Sequence, residues 1–287
     1  MKLIVDLSQL CYRAFFVDMR DKGDLMENAG FWKHLIVSSI LSAMKKYQVK
    51  SDYVYLAVDH KITWRKRVFP QYKANRKKSR DKSGVDFEKL FSLMNSFYID
   101  LKTVFPFHFI QTKYAEGDDI IGFLARHFSE LNEDFVIVSS DSDFIQLHCL
   151  PGFRGQYDPV GKNIKSEKPK RDLYIKILNG DPGDGIPNVL SDDDTFVVEG
   201  KRQKKLGEVK ADSILTSGVK EWLEENNAVK NFKRNQRLID LSKTPEQIQK
   251  KILMEYVNSK PNRDRMKLEA YFHANAMVIL QNRAHEF

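Results

Sequence analysis

The chain of 287 residues carries a formal net charge of +8 with 42% hydrophobic residues, 14 glycines, nine prolines and two cysteines. These figures exclude a collagen-like or low-complexity chain, a disulfide scaffold and a four-cysteine zinc site, and no apolar run approaches the ~20 residues of a membrane helix. The apolar start Met-Lys-Leu-Ile-Val is interrupted by Asp6 and Arg13, so it does not read as a secretion signal. A cytoplasmic protein in a reducing compartment, with no membrane partner, is expected.

In chain order, Leu3–Leu7 is a short run of strand formers. A helical stripe follows at Leu35, Ile36, Ile40, Leu41 and Met44, within Phe31–Tyr47. Tyr53–Val58 predicts a second strand and Phe87–Val104 a second helix, with Leu90, Phe91, Met94, Phe97, Tyr98 and Leu101 on one face. Phe107–Ile110 predicts a third strand, Ile120–Leu131 a third helix and Phe135–Val138 a fourth strand. Continuous apolar strands alternating with amphipathic helices predict an α/β domain, a mostly parallel sheet flanked by helices. After residue 172 the strand signals fade. Leu173–Leu178, Ala211–Leu215, Val219–Asn226, Asn231–Leu241, Pro245–Val257 and Lys267–Leu280 read as helices. The expected division is an α/β domain over 1–178 and a helical subdomain over 179–287.

The charge is concentrated. Residues 61–82 hold ten Lys/Arg and one acid, a net +9, so the remaining chain is close to neutral. The cations are Lys61, Arg65, Lys66, Arg67, Lys73, Arg76, Lys77, Lys78, Arg80 and Lys82, interleaved with Trp64, Phe69 and Tyr72. Clustered cations attract a polyanion by counterion release, and aromatic faces stack on bases. Nucleic acid is therefore the expected ligand. The segment lacks an apolar stripe of its own and reads as a mobile element.

The acids carry the chemistry. Asp6 ends the first strand and Asp59 the second; Glu116, Asp118 and Asp119 precede the third helix; Asp141 and Asp143 follow the fourth strand; Asp181 and Asp184 open the helical region. In a parallel sheet the C-terminal strand ends share one edge, where ligands bind. Any one of these acids is an ordinary turn former or helix cap, but nine converging carboxylates repel one another unless compensated. Mg²⁺, a hard cation that keeps several waters, suits such a site, and two ions about 4 Å apart serve phosphodiester hydrolysis by water. There is no P-loop, no dinucleotide fingerprint and no serine nucleophile elbow.

The ordered set of Val-Asp6, Val-Asp59, the Arg65…Tyr72-Lys73…Arg76 segment, Ala-Glu116-Gly-Asp118-Asp119, Ser-Asp141-Ser-Asp143 and Gly-Asp181-Pro-Gly-Asp184 resembles the flap endonuclease / 5′-to-3′ exonuclease family. Within it, Thr63-Trp64-Arg65, Val198-Glu199-Gly200 and the Glu-Phe terminus suggest the T-even bacteriophage ribonuclease H branch. The resemblance spans nearly the whole chain. It implies a PIN-like nuclease core, a basic arch or bridge over residues 61–88, and a C-terminal helix–hairpin–helix-type element that grips duplex DNA. It implies one ion near Asp6, Asp59, Glu116, Asp118 and Asp141, and a second near Asp143, Asp181 and Asp184, with Asp119 close by. Mn²⁺ would substitute for Mg²⁺. Lys73 and Arg76 match arch cations at the scissile phosphate, and Arg65 matches a cation at the arch base. Trp64, Lys66, Arg67, Tyr72, Lys77, Lys78, Arg80, Lys201, Arg202, Lys204 and Lys205 are the implied nucleic-acid contacts, Tyr72 by stacking on a terminal base.

The implied activity is 5′-to-3′ exonuclease and flap cutting that removes RNA primers and adjacent DNA from lagging-strand fragments in phage replication, in the host cytoplasm. The substrates would be branched, flap or nicked DNA and RNA–DNA hybrid. The protein would act as a monomer with a single-stranded DNA-binding protein as partner. One departure stands out. The Gly-x-Gly hairpin that holds a phosphate and a monovalent cation in the family is replaced by Ile186–Asp194, so a monovalent-ion site is in doubt. A non-catalytic nucleic-acid-binding protein and a PIN-like endoribonuclease are the competing readings.

Overall fold

The computed structural model describes residues 1–18 and 29–287; the side chains of residues 18, 78 and 79, Lys78 among them, lie outside that description. Six strands form one sheet: β1 (Lys2–Asp6), β2 (Val54–Val58), β3 (His108–Gln111), β4 (Phe135–Val138), β5 (Phe153–Tyr157) and β6 (Asn163–Ile164). Their order is β3-β2-β1-β4-β5-β6, and every neighbouring pair is parallel except β5–β6. The crossovers are α1 (Leu7–Asp18), α2 (Ala29–Tyr47), α3 (Arg65–Val68), α4 (Asn75–Asp81), α5 (Phe87–Val104) and α6 (Gly117–Glu130). The C-terminal part is α7 (Pro169–Asn179), α8 (Glu208–Ser217), α9 (Val219–Glu225), α10 (Val229–Ile239), α11 (Glu246–Asn258), α12 (Arg265–Ala274) and α13 (Val278–Gln281).

The central strands are apolar through their interior, with the charged Lys2 and Asp6 at the two ends of β1, because both faces are covered. Leu3, Val5, Val54, Leu56, Val58, Val136 and Val138 point into a core shared with α1, α2, α5, α12 and α13. The alternate residues Ile4, Tyr55, Ala57, Phe135 and Ile137 point into a second core with α6 and α11. A period of two along the strand thus sends successive side chains to two different helical layers.

Packing crosses the expected boundary at residue 178. Leu268, Phe272, Met277, Leu280 and Ala284 belong to the first sheet core, and Leu241, Ile248 and Ile252 to the second. Among the described residues, α7–α10 form a small core of their own, through Ile175, Leu178, Ala211, Ile214, Leu223 and Ala228. The last predicted helix is two, broken at Ala276, whose φ of 54° is left-handed. In place of a short hairpin, α7 and α8 are joined by a long loop. Asn188 braces it by donating to the Lys204 carbonyl at 2.7 Å and accepting from Ser191 Oγ at 2.8 Å.

The 61–82 segment departs from its expected mobility. Trp64, Phe69 and Tyr72 are 5%, 2% and 1% exposed. Phe69 and Tyr72 pack with Ile177, Ile186, Leu238 and Ile239, which anchors the basic run to the helical region. Trp64 anchors the start of the run separately, in the second sheet core.

Candidate active site

The site is built on the C-terminal edge of the sheet. Asp6, the last residue of β1, accepts from the Gln9 amide at 3.0 Å and from Ser139 Oγ at 3.0 Å. Asp59 follows β2 and accepts from the Gly117 amide at 2.6 Å. A Cβ placed on Gly117 would stand 3.3 Å from an Asp59 oxygen and 3.9 Å from one of Asp6, so the turn into α6 brings the two carboxylates together. Asp141 follows β4 and caps the 3-10 turn Ser142–Leu147, accepting from the Asp143 amide at 2.9 Å.

These acids repel one another. Burial, then Asp59 and Asp141, push the Asp6 carboxyl up to about 7. Burial, then Asp141 and Asp6, raise Asp118 as well. Asp141 is raised by burial against the pull of Lys176, with Asp184 and Asp181 adding to the rise. Among the described residues no three acids form a direct metal cage. Close carboxylates held above their ordinary range are short of positive charge, and an edge lined in this way fits a cation that keeps part of its water.

Glu116 lies in the opposite environment. Its Oε2 accepts from Thr63 Oγ1 at 2.9 Å, Arg65 Nη1 at 2.9 Å and Tyr72 OH at 3.1 Å, and Oε1 accepts from Lys73 Nζ at 2.6 Å. Burial alone would raise it, but Lys73 and Arg65 outweigh burial and hold it at about 2. Asp119 is fully buried one helical turn on. It accepts from the Glu116 amide at 2.9 Å, Trp64 Nε1 at 3.1 Å, Arg65 Nη1 at 2.9 Å and Thr244 Oγ1 at 2.8 Å. The pair forms a reciprocal cap at the start of α6.

The loop Asp181–Asp184 closes the edge from the helical side. Gly180 makes the turn possible with φ +70°, and a Cβ there would lie 2.3 Å from the Ile186 carbonyl oxygen. Asp184 accepts from Tyr72 OH at 2.7 Å and Arg76 Nη2 at 2.5 Å, and Asp181 pairs with Lys176 at 2.9 Å. The same Lys176 pairs with Asp143. The basic segment docks onto this loop. The Lys73 amide donates to the Asp184 carbonyl at 2.7 Å, Asn75 Nδ2 to the Pro182 carbonyl at 2.7 Å and Arg76 Nε to the Gly183 carbonyl at 3.2 Å. Lys73 itself is left-handed at φ 57°, an unusual conformation for a side chain of its size.

A two-sided chamber results, with mutually repelling acids on the sheet edge and cations clamped above them. The 5′-3′ exonuclease N-terminal resolvase-like domain matches residues 1–151, and the T4 RNase H C-terminal domain matches residues 167–287. The chain belongs to the 5′-3′ exonuclease family. It is a nuclease of that family, 31% identical to ribonuclease H of Enterobacteria phage T4 over 99% of this chain and 95% of that protein. It is also 28% identical to DNA polymerase I of Chloroflexus aurantiacus, over 65% of this chain but only 20% of the polymerase. A crystal structure of the bacteriophage T5 D15 flap endonuclease, a pseudo-enzyme–product complex with DNA and metal ions, superposes with a TM-score of 0.64. It covers 89% of this chain and 97% of that one at 18% identity.

Placement sorts the nucleic-acid contacts implied by resemblance. Trp64 and Tyr72 do not present faces for base stacking: both are buried, one bonded to Asp119, the other to Glu116 and Asp184. Arg65 is 3% exposed and held by Glu116, Asp119 and the Leu238 carbonyl. Its guanidinium is a buried brace away from the open edge. Lys201 is paired with Asp192 and Asp194. Lys66, Arg67, Lys77, Arg80, Arg202, Lys204 and Lys205 are exposed, with Arg67 over the Tyr114 ring at 4.4 Å and Arg80 over Phe87 at 5.3 Å.

Sequence reasoning missed Lys176, Gln9 and Ser139. Gln9 accepts from Ser139 Oγ at 3.1 Å and the Ser140 amide at 2.7 Å, tying α1 to the loop after β4. Lys176 stands in a helix that the sequence does predict, five residues before Asp181, and that spacing was the available signal.

Proposed function

We propose that this nuclease is a Mg²⁺-dependent, structure-specific 5′ nuclease that removes RNA primers and adjacent DNA from lagging-strand fragments by 5′-to-3′ exonuclease and flap cutting. The observation that carries the reading is the opposition of Asp6, Asp59, Asp118 and Asp141 on the sheet edge to Lys73 and Arg76 above them. Of the expected ligands, Glu116 and Asp119 have their oxygens taken by Lys73, Arg65 and neighbouring donors, so one ion would be held by Asp6, Asp59, Asp118 and Asp141 and a second by Asp143, Asp181 and Asp184, with Mn²⁺ a substitute. Bound there, the ions supply an activated water and neutralise the attacking and leaving oxygens.

The chain's own groups do the rest. Lys73, paired with Glu116, and Arg76, paired with Asp184, would contact the scissile phosphate, and a preorganised cation strengthens its contact as phosphate charge shifts during attack. Glu116 holds Lys73 in place from below. Asp119 and Arg65 fix the start of α6, and hence Asp118, without touching substrate. Lys176 pairs with both Asp143 and Asp181, and would compete there with a second ion. The substrate class is nicked, flap or RNA–DNA hybrid duplex, bound by a monomer, with a single-stranded DNA-binding protein as partner.

The test is cleavage of 5′-labelled nicked duplex, flap, RNA–DNA hybrid and single strand, in Mg²⁺ and in chelator. Asp141→Asn abolishes cleavage while leaving binding largely intact. Full activity in that variant overturns the assignment.

A further inference from the structure

Away from the catalytic edge, α10 carries a second concentration of positive charge. Lys230, Lys233, Arg234 and Arg237 fall at i, i+3, i+4 and i+7, so they share one helix face. With Val68, Phe69, Asp193 and Asn231 they line a cleft of about 260 Å³. Arg234 belongs to the wall: it pairs with Asp193, donates to the Pro187 carbonyl at 2.8 Å and lies 5.4 Å over the Phe69 ring. Lys230, Lys233 and Arg237 are exposed, and none has an ion pair or hydrogen bond among the described residues.

Folding does not call for these three. Leu238 on the flank of α10 and Ile239 on its opposite face already anchor the helix in a core. Like charges one turn apart destabilise a helix slightly. The one acid in the cleft, Asp193, is taken by Arg234. The cleft offers no open aromatic face either, because Arg234 covers Phe69. Such a surface recognises backbone charge and not bases. Seven residues at 1.5 Å rise span about 10 Å, the length of roughly three phosphates at 3.4 Å of axial rise each. The cleft also adjoins the site: its Phe69 precedes Lys73 by four residues and shares a core with Tyr72.

We propose that the α10 face is a second phosphodiester-binding surface, which holds the substrate backbone beyond the catalytic edge; this rests on the nuclease reading above. The test compares Lys230→Ala/Lys233→Ala/Arg237→Ala with Lys50→Ala/Lys102→Ala/Lys260→Ala, an equal loss of charge at exposed positions elsewhere. Binding of flap DNA is followed by fluorescence anisotropy across a salt series, with Ca²⁺ replacing Mg²⁺. One substrate has a lengthened duplex arm and another a lengthened 5′ single strand.

The α10 variant is expected to bind roughly tenfold or more weakly at low salt, with the slope of log K against log salt smaller by about two to three. A deficit that grows with the duplex arm assigns the cleft to duplex, and one that grows with the single strand assigns it to the flap. Superimposable curves for the two variants on every substrate overturn the proposal. If the triple variant does not fold, Arg237→Gln serves, with an expected slope change of about one. Absence of wild-type cleavage in Mg²⁺ would sink the nuclease reading while leaving the slope comparison to decide the surface.

Discussion

Asp119 and Asp141 are both acids of the same edge, yet their environments predict opposite responses to substitution. Asp119 gathers four donors in a fully buried position. Asp119→Ala strands Arg65 and Trp64, and breaking a buried pair of this kind costs about 3–5 kcal/mol. The expected outcome is a clearly lower urea midpoint. Asp141 is raised by burial and by neighbouring carboxylates. Asp141→Asn removes repulsion, so the metal-free variant is expected to unfold at the same or higher urea while losing cleavage. Equal destabilisation of the two variants would contradict this division. Lys73 is held by Glu116 and Asp184. Lys73→Ala is expected to lower turnover about 10²–10³-fold, the size of a lost transition-state contact; a single-turnover assay at saturating enzyme separates this from weakened binding.

At the scale of elements, the basic segment behaves as a docked strap and not as a loose arm. Gly185 marks the docking point: its φ is +71°, and a Cβ would meet the Gln71 carbonyl oxygen and Asn75 Oδ1 at 3.2 Å each. Gly185→Ala is expected to lift the strap, which limited proteolysis within residues 73–82 would report as faster cleavage. The elements most legible in the sequence are those with a strong period. α5 matches its predicted range residue for residue, and β4 likewise, because an apolar stripe and an apolar run leave little choice. α1 does carry a helical stripe, Leu7, Leu10, Cys11, Ala14 and Phe15, but its first residue also ends the strand-like run Leu3–Leu7, which obscures its start; β5 escapes prediction because Phe153-Arg-Gly-Gln-Tyr carries few strand formers. The acids of the site are legible as strand-end residues. Their division between open carboxylates and braced ones is not, since Thr63 and Thr244, which help to settle it, are remote in sequence from Glu116 and Asp119.

For the whole molecule, the acid edge makes stability depend on pH in a defined sense. Asp6 sits at about 7 when folded against an ordinary 3.8, so its protonated form favours folding at low pH and that contribution is lost as pH rises through 7. Glu116, held at about 2, contributes above pH 4.5 and loses its contribution as pH falls toward 2. From these two groups the metal-free protein is therefore expected to melt highest near pH 4, between the unfolded values of Asp6 and Glu116, and lower at pH 8. Divalent cation should raise the melting temperature more at pH 8 than at pH 5, because it takes over the role of the proton. A flat profile in differential scanning fluorimetry would argue against this coupling. The closing of the first sheet core by α12, α13 and Phe287 ties distant parts of the sequence to the catalytic edge. Strands β1 and β2 leave the ribosome long before the helices that cover one of their faces. Asp6 and Asp59 end or follow those strands, so loosening α12 and α13 would reach the catalytic edge through the shared core.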